Sequence, residues 1–342
     1  MFWRALTLVS SVLFPLTAAA LPPPQSQTCP LIVEQALNRV GDHCRDLGRN
    51  QVCYGSRLVT ATTWKQTDLP GFDTAGDLVS LVDMATLATS PLDATTGNWG
   101  VAMLAVQANL PDTLPGQNIV FMVLGDAELR SEVPPPAVVV EASAAGRANL
   151  RGGPGTQYGV VGGLAAGQAL ALTGRNAAGD WLLLAGGGDE RWVFADLVAP
   201  AGDVAALPAV EPGSNRFNAP MQAFRLRTGL SETRCQQAPP DGVLLQLPVT
   251  AKVHFRINGI TVDLASTIFL SAARDDELTV STFRGVVSVT SAGVTRRIPP
   301  GYTLTVREGQ PPGQPQPYDY DTLQAAPIQL MPVRFAVPPP GR

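Results

Sequence analysis

Between residues 57 and 130 the chain runs in short apolar bursts separated by turn residues: "RLVTATTW", "DLVSLVDMATLAT", "WGVAMLAVQANL" and "NIVFMVLGDAEL". Their β-branched and apolar content, flanked by Gly, Pro and Asn, predicts strands. Residues 217–309 alternate more cleanly. In "AKVHFRINGITVDL", Val253, Phe255 and Ile257 fall on one face and Lys252, His254 and Arg256 on the other. Asn258-Gly259 between its two runs predicts a tight hairpin, and Ala292-Gly293 and Pro300-Gly301 mark further turns. One segment follows a helical period instead. In "PLIVEQALNRVGDHC", Val33, Leu37, Val40 and Cys44 share a face, and Pro30 suits a first helical turn. The pattern predicts a mainly-β protein with a short N-terminal helix.

Three stretches interrupt the pattern. "EVPPPAVVV" predicts a stiff, extended linker at 132–140. "APAGDVAALPAVEPGSN" has no periodicity and predicts a second linker at 200–216. Residues 310–342 are too proline-rich for regular structure, although their apolar end is able to dock on a domain. The expected order is a leader at 1–20, a helix plus β-rich region at 29–131, a small domain at 141–199, a β-domain at 217–309 and the tail. A chain of 342 residues exceeds one ordinary core, in keeping with several domains.

Composition narrows the function classes. A hydrophobic content of 45% supplies packed cores, while a formal net charge of −4 argues against nucleic acid, which requires a basic face. The N-terminus pairs Arg4 with the uncharged run "ALTLVSSVLFPLTAAA", and Ala18 and Ala20 form a small-x-small cleavage signal. That run is about 16 residues with Pro15 inside it, short of the roughly 20 that span a bilayer, so cleavage after Ala20 is expected. The mature chain is then extracytoplasmic, secreted or at the cell surface, without a membrane segment.

Export makes Cys29, Cys44, Cys53 and Cys235 disulfide candidates. A continuous helix would hold Cys29 and Cys44 roughly 20 Å apart, whereas a disulfide needs Cα atoms within about 7 Å. Two full pairings remain: Cys44–Cys53 with Cys29–Cys235, or Cys29–Cys53 with Cys44–Cys235. One local bridge with two free thiols is the third arrangement.

The segment "ANLRGGPGTQYGVVGGLAAGQALAL" (148–172) has the glycine density of a phosphate loop but not its chemistry. It holds no lysine, and Tyr158 stands where GxGxxG needs its third glycine. No amphipathic helix follows to receive an anion. Hairpin patterns follow instead, in "QALALTGR", "DWLLLAG" and "RWVFADLV". In these blocks and their order, residues 147–198 resemble the bacterial SH3 domain. The resemblance implies a compact barrel of five to six strands in an exported protein, attaching to peptidoglycan or a cell-surface peptide or protein. Asn149, Arg151, Tyr158, Trp181 and Trp192 occupy its motif positions and are the candidate ligand-binding residues. The two tryptophans also suit a core too small to close without them. Glu190 and Arg191 stand where the family has glycine, at the edge of the expected groove.

"TVSTFRGVVSVTSAGVTRRIPPGYTLTV" resembles the FecR-type β-domain of bacterial extracytoplasmic proteins, over less than half of residues 217–309. With "MFW" and Arg4 alone before the apolar run, the resemblance implies an outside β-scaffold rather than a signalling regulator. The N-terminal region, with "GRNQVCYG", is similar to segments that accompany such domains in uncharacterised exported bacterial proteins.

The catalytic inventory is thin. Of the two histidines, His43 adjoins Cys44 on a helix, so the two point about 100° apart and form no dyad. His254 falls on a polar strand face. HExxH and GxSxG are both absent from the sequence. The acids of "DDE" (275–277), "YDYD" (318–321) and "GFDTAGD" (71–77) read as solvated turns; Asp73 and Asp77 lack the spacing of a calcium loop. No cofactor and no metal is expected. The sequence therefore points to a non-catalytic surface-binding module. The alternatives are an extracellular assembly protein presenting β-domains to partners, and a cell-wall hydrolase with unlocated acids.

Overall fold

The computed structural model describes residues 29–107, 118–185, 190–213, 217, 219–229, 238–248, 253–273 and 277–341. Among these residues the strands form three sheets. The expected leader at 1–20 lies outside them, as do Lys252 and Cys235.

The largest sheet has nine strands. In spatial order they are Gln316–Pro317, Tyr302–Val306, Glu277–Arg284, Thr267–Ala273, Gly242–Gln246, Ile119–Leu124, Val101–Val106, Gln51–Ser56 and Leu78–Ser80. An eight-stranded sheet runs Val59–Thr63, Met84–Thr89, Ala127–Ser131, Ala223–Thr228, Val253–Ile257, Ile260–Leu264, Val287–Ser291 and Val294–Ile298. Leu104, Phe121, Val243 and Val280 from the first pack with Leu87, Leu129, Phe224, Phe255 and Val289 from the second. The two sheets are a β-sandwich.

The other face of the nine-stranded sheet is covered as well. Met103, Met122, Leu244, Phe269 and Phe283 pack against the helix Cys29–His43 and the tail residues Tyr318, Leu323, Ile328, Met331 and Val337. This explains the unbroken apolar run at 119–124: Ile119, Phe121 and Val123 enter the inter-sheet core, while Val120, Met122 and Leu124 enter the outer layer. A strand buried on both faces loses its polar alternation.

The helix turns a slightly different stripe inward than its spacing predicted. Ile32, Ala36 and Val40 are buried, with Cys44 just past the end, and Val33 and Leu37 flank them half-exposed. Ala36 at the centre lets the helix sit close to the sheet. Cys44 bonds Cys53 across a Cα–Cα distance of 5.7 Å, joining the helix end to strand Gln51–Ser56. This excludes the pairing Cys29–Cys53 with Cys44–Cys235; the companion pairing Cys29–Cys235 falls on a residue outside those described. Closing a loop of this length stabilises by about 2–3 kcal/mol.

The tail has more order than its prolines predicted. It adds the edge strand Gln316–Pro317, and Asp319 caps the one-turn helix Tyr320–Leu323. Tyr318 anchors it: the ring meets Phe283 edge-on, and the hydroxyl donates to the Pro338 carbonyl at 2.5 Å. Burial pushes that hydroxyl's pKa up to about 12. Gln246, buried in the sheet, holds the last stretch by accepting from Val333 N–H at 2.7 Å and donating to its carbonyl at 2.9 Å.

The expected hairpin at Asn258-Gly259 is present, with both residues at positive φ (49° and 76°) and Val253–Ile257 paired to Ile260–Leu264. The Asn258 amide also does what a strand neighbour would. Its Oδ1 accepts from Leu226 N–H at 2.7 Å, and its Nδ2 donates to the Leu226 carbonyl at 3.0 Å.

The organisation as three successive bodies is corrected by the sheets. Strand Gly242–Gln246 pairs with Ile119–Leu124, and Ala223–Thr228 pairs with Ala127–Ser131. Residues 29–131 and 217–309 therefore build one sandwich. The reason is pairing: each half supplies apolar strands whose backbone groups are satisfied by the other half. The expected linkers at 132–140 and 200–216 bracket an insertion between two adjacent antiparallel strands. Glu132, at its entry, contacts Arg225 (2.9 Å) and Arg256 (3.5 Å).

Candidate functional site

The insertion forms the third sheet, of seven strands: Val160–Leu164, Ala148–Arg151, Trp192–Phe194, Trp181–Leu184, Ala169–Arg175, Val140–Ala144 and Val198–Pro200. Alternation builds its core. Val140, Ala142, Leu150, Leu170, Leu172, Leu182, Leu184 and Val193 point inward.

The glycine-rich loop is a braced turn. Arg151 reaches back over it, Nη1 donating to the carbonyls of Thr156 (3.1 Å) and Tyr158 (2.7 Å). Gly152 N–H bonds the Gly159 carbonyl, closing its base. The Tyr158 ring lies so near Gly153 that a Cβ there would come within 2.3 Å of Cδ1. That glycine is required by close approach rather than by φ. Arg151 is thus a brace for the loop, and Tyr158, half-buried, is its packed lid.

Both candidate tryptophans are buried. Trp192 is fully enclosed, and Trp181 meets Phe194 edge-on at 5.6 Å. With Leu183 they form a second small core. Glu190, expected at a groove edge, is buried with them. Its Oε2 accepts from Trp192 Nε1–H and from Gly213 N–H, each at 3.0 Å.

Gly213 belongs to the stretch expected to be a free linker. Its described part, up to Gly213, is a strap. Leu207 enters the barrel core, and Val210 packs on the tryptophan cluster. Arg175 N–H bonds the Pro208 carbonyl (2.9 Å), Val210 N–H bonds the Arg175 carbonyl (2.8 Å), and Arg175 Nε donates to the Leu207 carbonyl (3.1 Å). A Cβ at Gly174 would strike Val210, so this glycine admits the strap. The tryptophan face is closed by the chain itself.

What remains open is the other end of the sheet. Val160–Leu164 is an edge strand whose first four residues are exposed, with Val160 at 55% and Val161 at 49%. Its partner strand presents Asn149, exposed and opposite Gly163. Tyr158 adjoins the strand through Gly159. Of the five expected ligand residues, Asn149 and Tyr158 border this open edge. Arg151 fixes the loop beside it, and the tryptophans lie in the closed core.

Residues 146–199 match the family model of the bacterial SH3 domain. The chain contains a bacterial SH3 domain. No curated protein and no solved structure matched the chain. The family match ends at Ala199, before the strap that closes the tryptophan face.

Of the acids expected in solvated turns, Asp275 and Asp276 lie outside the described residues. Asp77 accepts from the N–H groups of Thr74 (2.7 Å) and Asp73 (2.9 Å), and these backbone bonds hold its carboxyl below the usual range. His254 Nδ1 meets Asp263 at 2.5 Å across the hairpin on the outer sheet face. Among the described residues no group of His, Cys, Asp and Glu has a metal-binding arrangement, and no helix is long and apolar enough to cross a membrane.

Proposed function

We propose that the protein is a non-catalytic, extracytoplasmic binding module whose SH3 domain attaches to peptidoglycan through its peptide part. The observation carrying this reading is the open edge strand Val160–Gly163 beside a loop that Arg151 holds rigid. An exposed edge offers a row of backbone donors and acceptors to an extended peptide. Gly162 and Gly163 keep side chains out of the way, and Asn149 and Tyr158 supply polar and aromatic contacts at the border. The leader-like N-terminus supports export, and the FecR-like strands at 277–306 support a scaffold role for the sandwich that carries the domain.

Tyr158→Ala is expected to weaken retention on purified cell-wall sacculi about tenfold, the worth of one good aromatic contact. The sandwich and SH3 cores, which this ring does not enter, stay folded by circular dichroism. Unchanged retention would remove Tyr158 from the contact surface.

A further inference from the structure

The sandwich carries a second concavity, far from the SH3 domain in sequence. Val59–Thr63 is an edge of the eight-stranded sheet and Leu78–Ser80 an edge of the nine-stranded sheet. At this rim the loops after them enclose a solvent-open cavity of about 580 Å³. Trp64, Pro70 and Val79 give it an apolar wall, and Lys65, Thr67, Ser80 and Asp83 give it polar groups.

We propose that this cleft is a saccharide-binding site with Trp64 as its platform. The indole has one hydrogen-bond donor, and Trp64 Nε1–H spends it on the Val82 carbonyl at 3.0 Å. That bond fixes the ring, so what it offers a ligand is carbon surface. The loop behind it is equally fixed. Thr63 N–H bonds the Thr67 carbonyl (2.8 Å), Leu69 N–H bonds the Ala61 carbonyl (2.9 Å), and Gln66 takes a positive φ of 61° at the turn. A cleft built this way loses little freedom when a ligand enters.

The mix of groups selects the class. A pyranose has an apolar C–H face that lies on an aromatic ring and an equatorial rim of hydroxyls. Asp83, Ser80 and Thr67 are partners for such a rim. Lys65 and Asp83 both line the cleft, so a phosphate would meet a carboxylate as well as a cation, whereas a neutral sugar takes hydrogen bonds from both. A quaternary ammonium requires a cage of several aromatics, and Trp64 is the one aromatic among the described lining residues. A purely apolar side chain would strip water from the polar rim without replacing its hydrogen bonds.

The test titrates the full chain with an N-acetylglucosamine tetramer and, separately, cellotetraose, followed by calorimetry and by the indole N–H resonance of Trp64. Saturable binding of at least one is expected, with the Trp64 resonance moving. Trp64→Ala should weaken it about tenfold or more, Trp64→Phe less, and Asp83→Asn several-fold. No saturable binding of either sugar would overturn the proposal. So would binding that leaves the Trp64 resonance in place, which also serves if a variant fails to fold. Tyr158→Ala leaves this binding unchanged, so the site stands or falls independently of the SH3 domain.

Discussion

Phe121→Ala is expected to destabilise the sandwich by about 3–5 kcal/mol, the cost of emptying a fully buried phenylalanine site. Phe121 comes from the first half of the chain, and its ring centroid lies 5.8 Å from that of Phe224 and 5.7 Å from that of Phe255, both from the second half. The substitution therefore loosens strands on both sides of the insertion together. In chemical denaturation one cooperative transition, containing the strands of both sandwich sheets, should shift to lower denaturant. The SH3 transition should stay in place, because among the described residues none of its strands pairs with either sandwich sheet. Two separately shifting transitions within the sandwich would mean that the halves do not share a core.

Trp192→Ala is expected to unfold the SH3 domain. The indole is fully buried, so its removal costs about 3–5 kcal/mol in transfer and cavity terms, comparable to the whole stability of a domain of this size. It also takes the Nε1 donor from the Glu190 carboxylate, which is buried and still bonded to Gly213 N–H. A buried acceptor deprived of a donor adds to the loss. Trp192→Phe restores most of the volume but not that bond, and should fall between. Loss of the domain's dispersed amide resonances at 25 °C would show the effect, with the sandwich's resonances retained. A folded Trp192→Ala domain that merely lost ligand would place Trp192 in the binding surface.

The outcome divides along the difference between local and non-local information. The hairpin at Asn258-Gly259 was legible because the turn dipeptide and the alternation on either side are both local. The SH3 blocks were legible for the same reason: loop, tryptophan hairpin and closing strand lie within about fifty residues in a recognisable order. The sandwich was not. The pairing of Ile119–Leu124 with Gly242–Gln246 spans more than a hundred residues, and a two-sided apolar run says that a strand is buried without naming its neighbour. The prolines after residue 131 stand at the entry to the insertion between two paired strands, which their composition does not reveal. The strap misled because alanine and proline carry no period. Its anchors, Leu207 and Val210, are single apolar residues whose partners are on the barrel. Glu190 misled in the opposite sense: a charged residue in a glycine-rich turn suggests exposure, and its burial depends on two donors from different segments. The brace formed by Arg151 carried no signal beyond its place in the motif.

On the proposed function, the SH3 insertion is what attaches the protein to the wall. Its position between neighbouring antiparallel strands allows a direct measurement. Residues 137–213 are replaced by a short glycine-serine loop, leaving Ala127–Ser131 and Ala223–Thr228 to pair as a hairpin. The intact and excised chains are then sedimented with purified sacculi across a concentration series. Saturable co-sedimentation of the intact chain is expected, with loss of most of it from an excised chain that keeps the cooperative unfolding of the sandwich. Equal retention of both would contradict it and move the attachment to the sandwich.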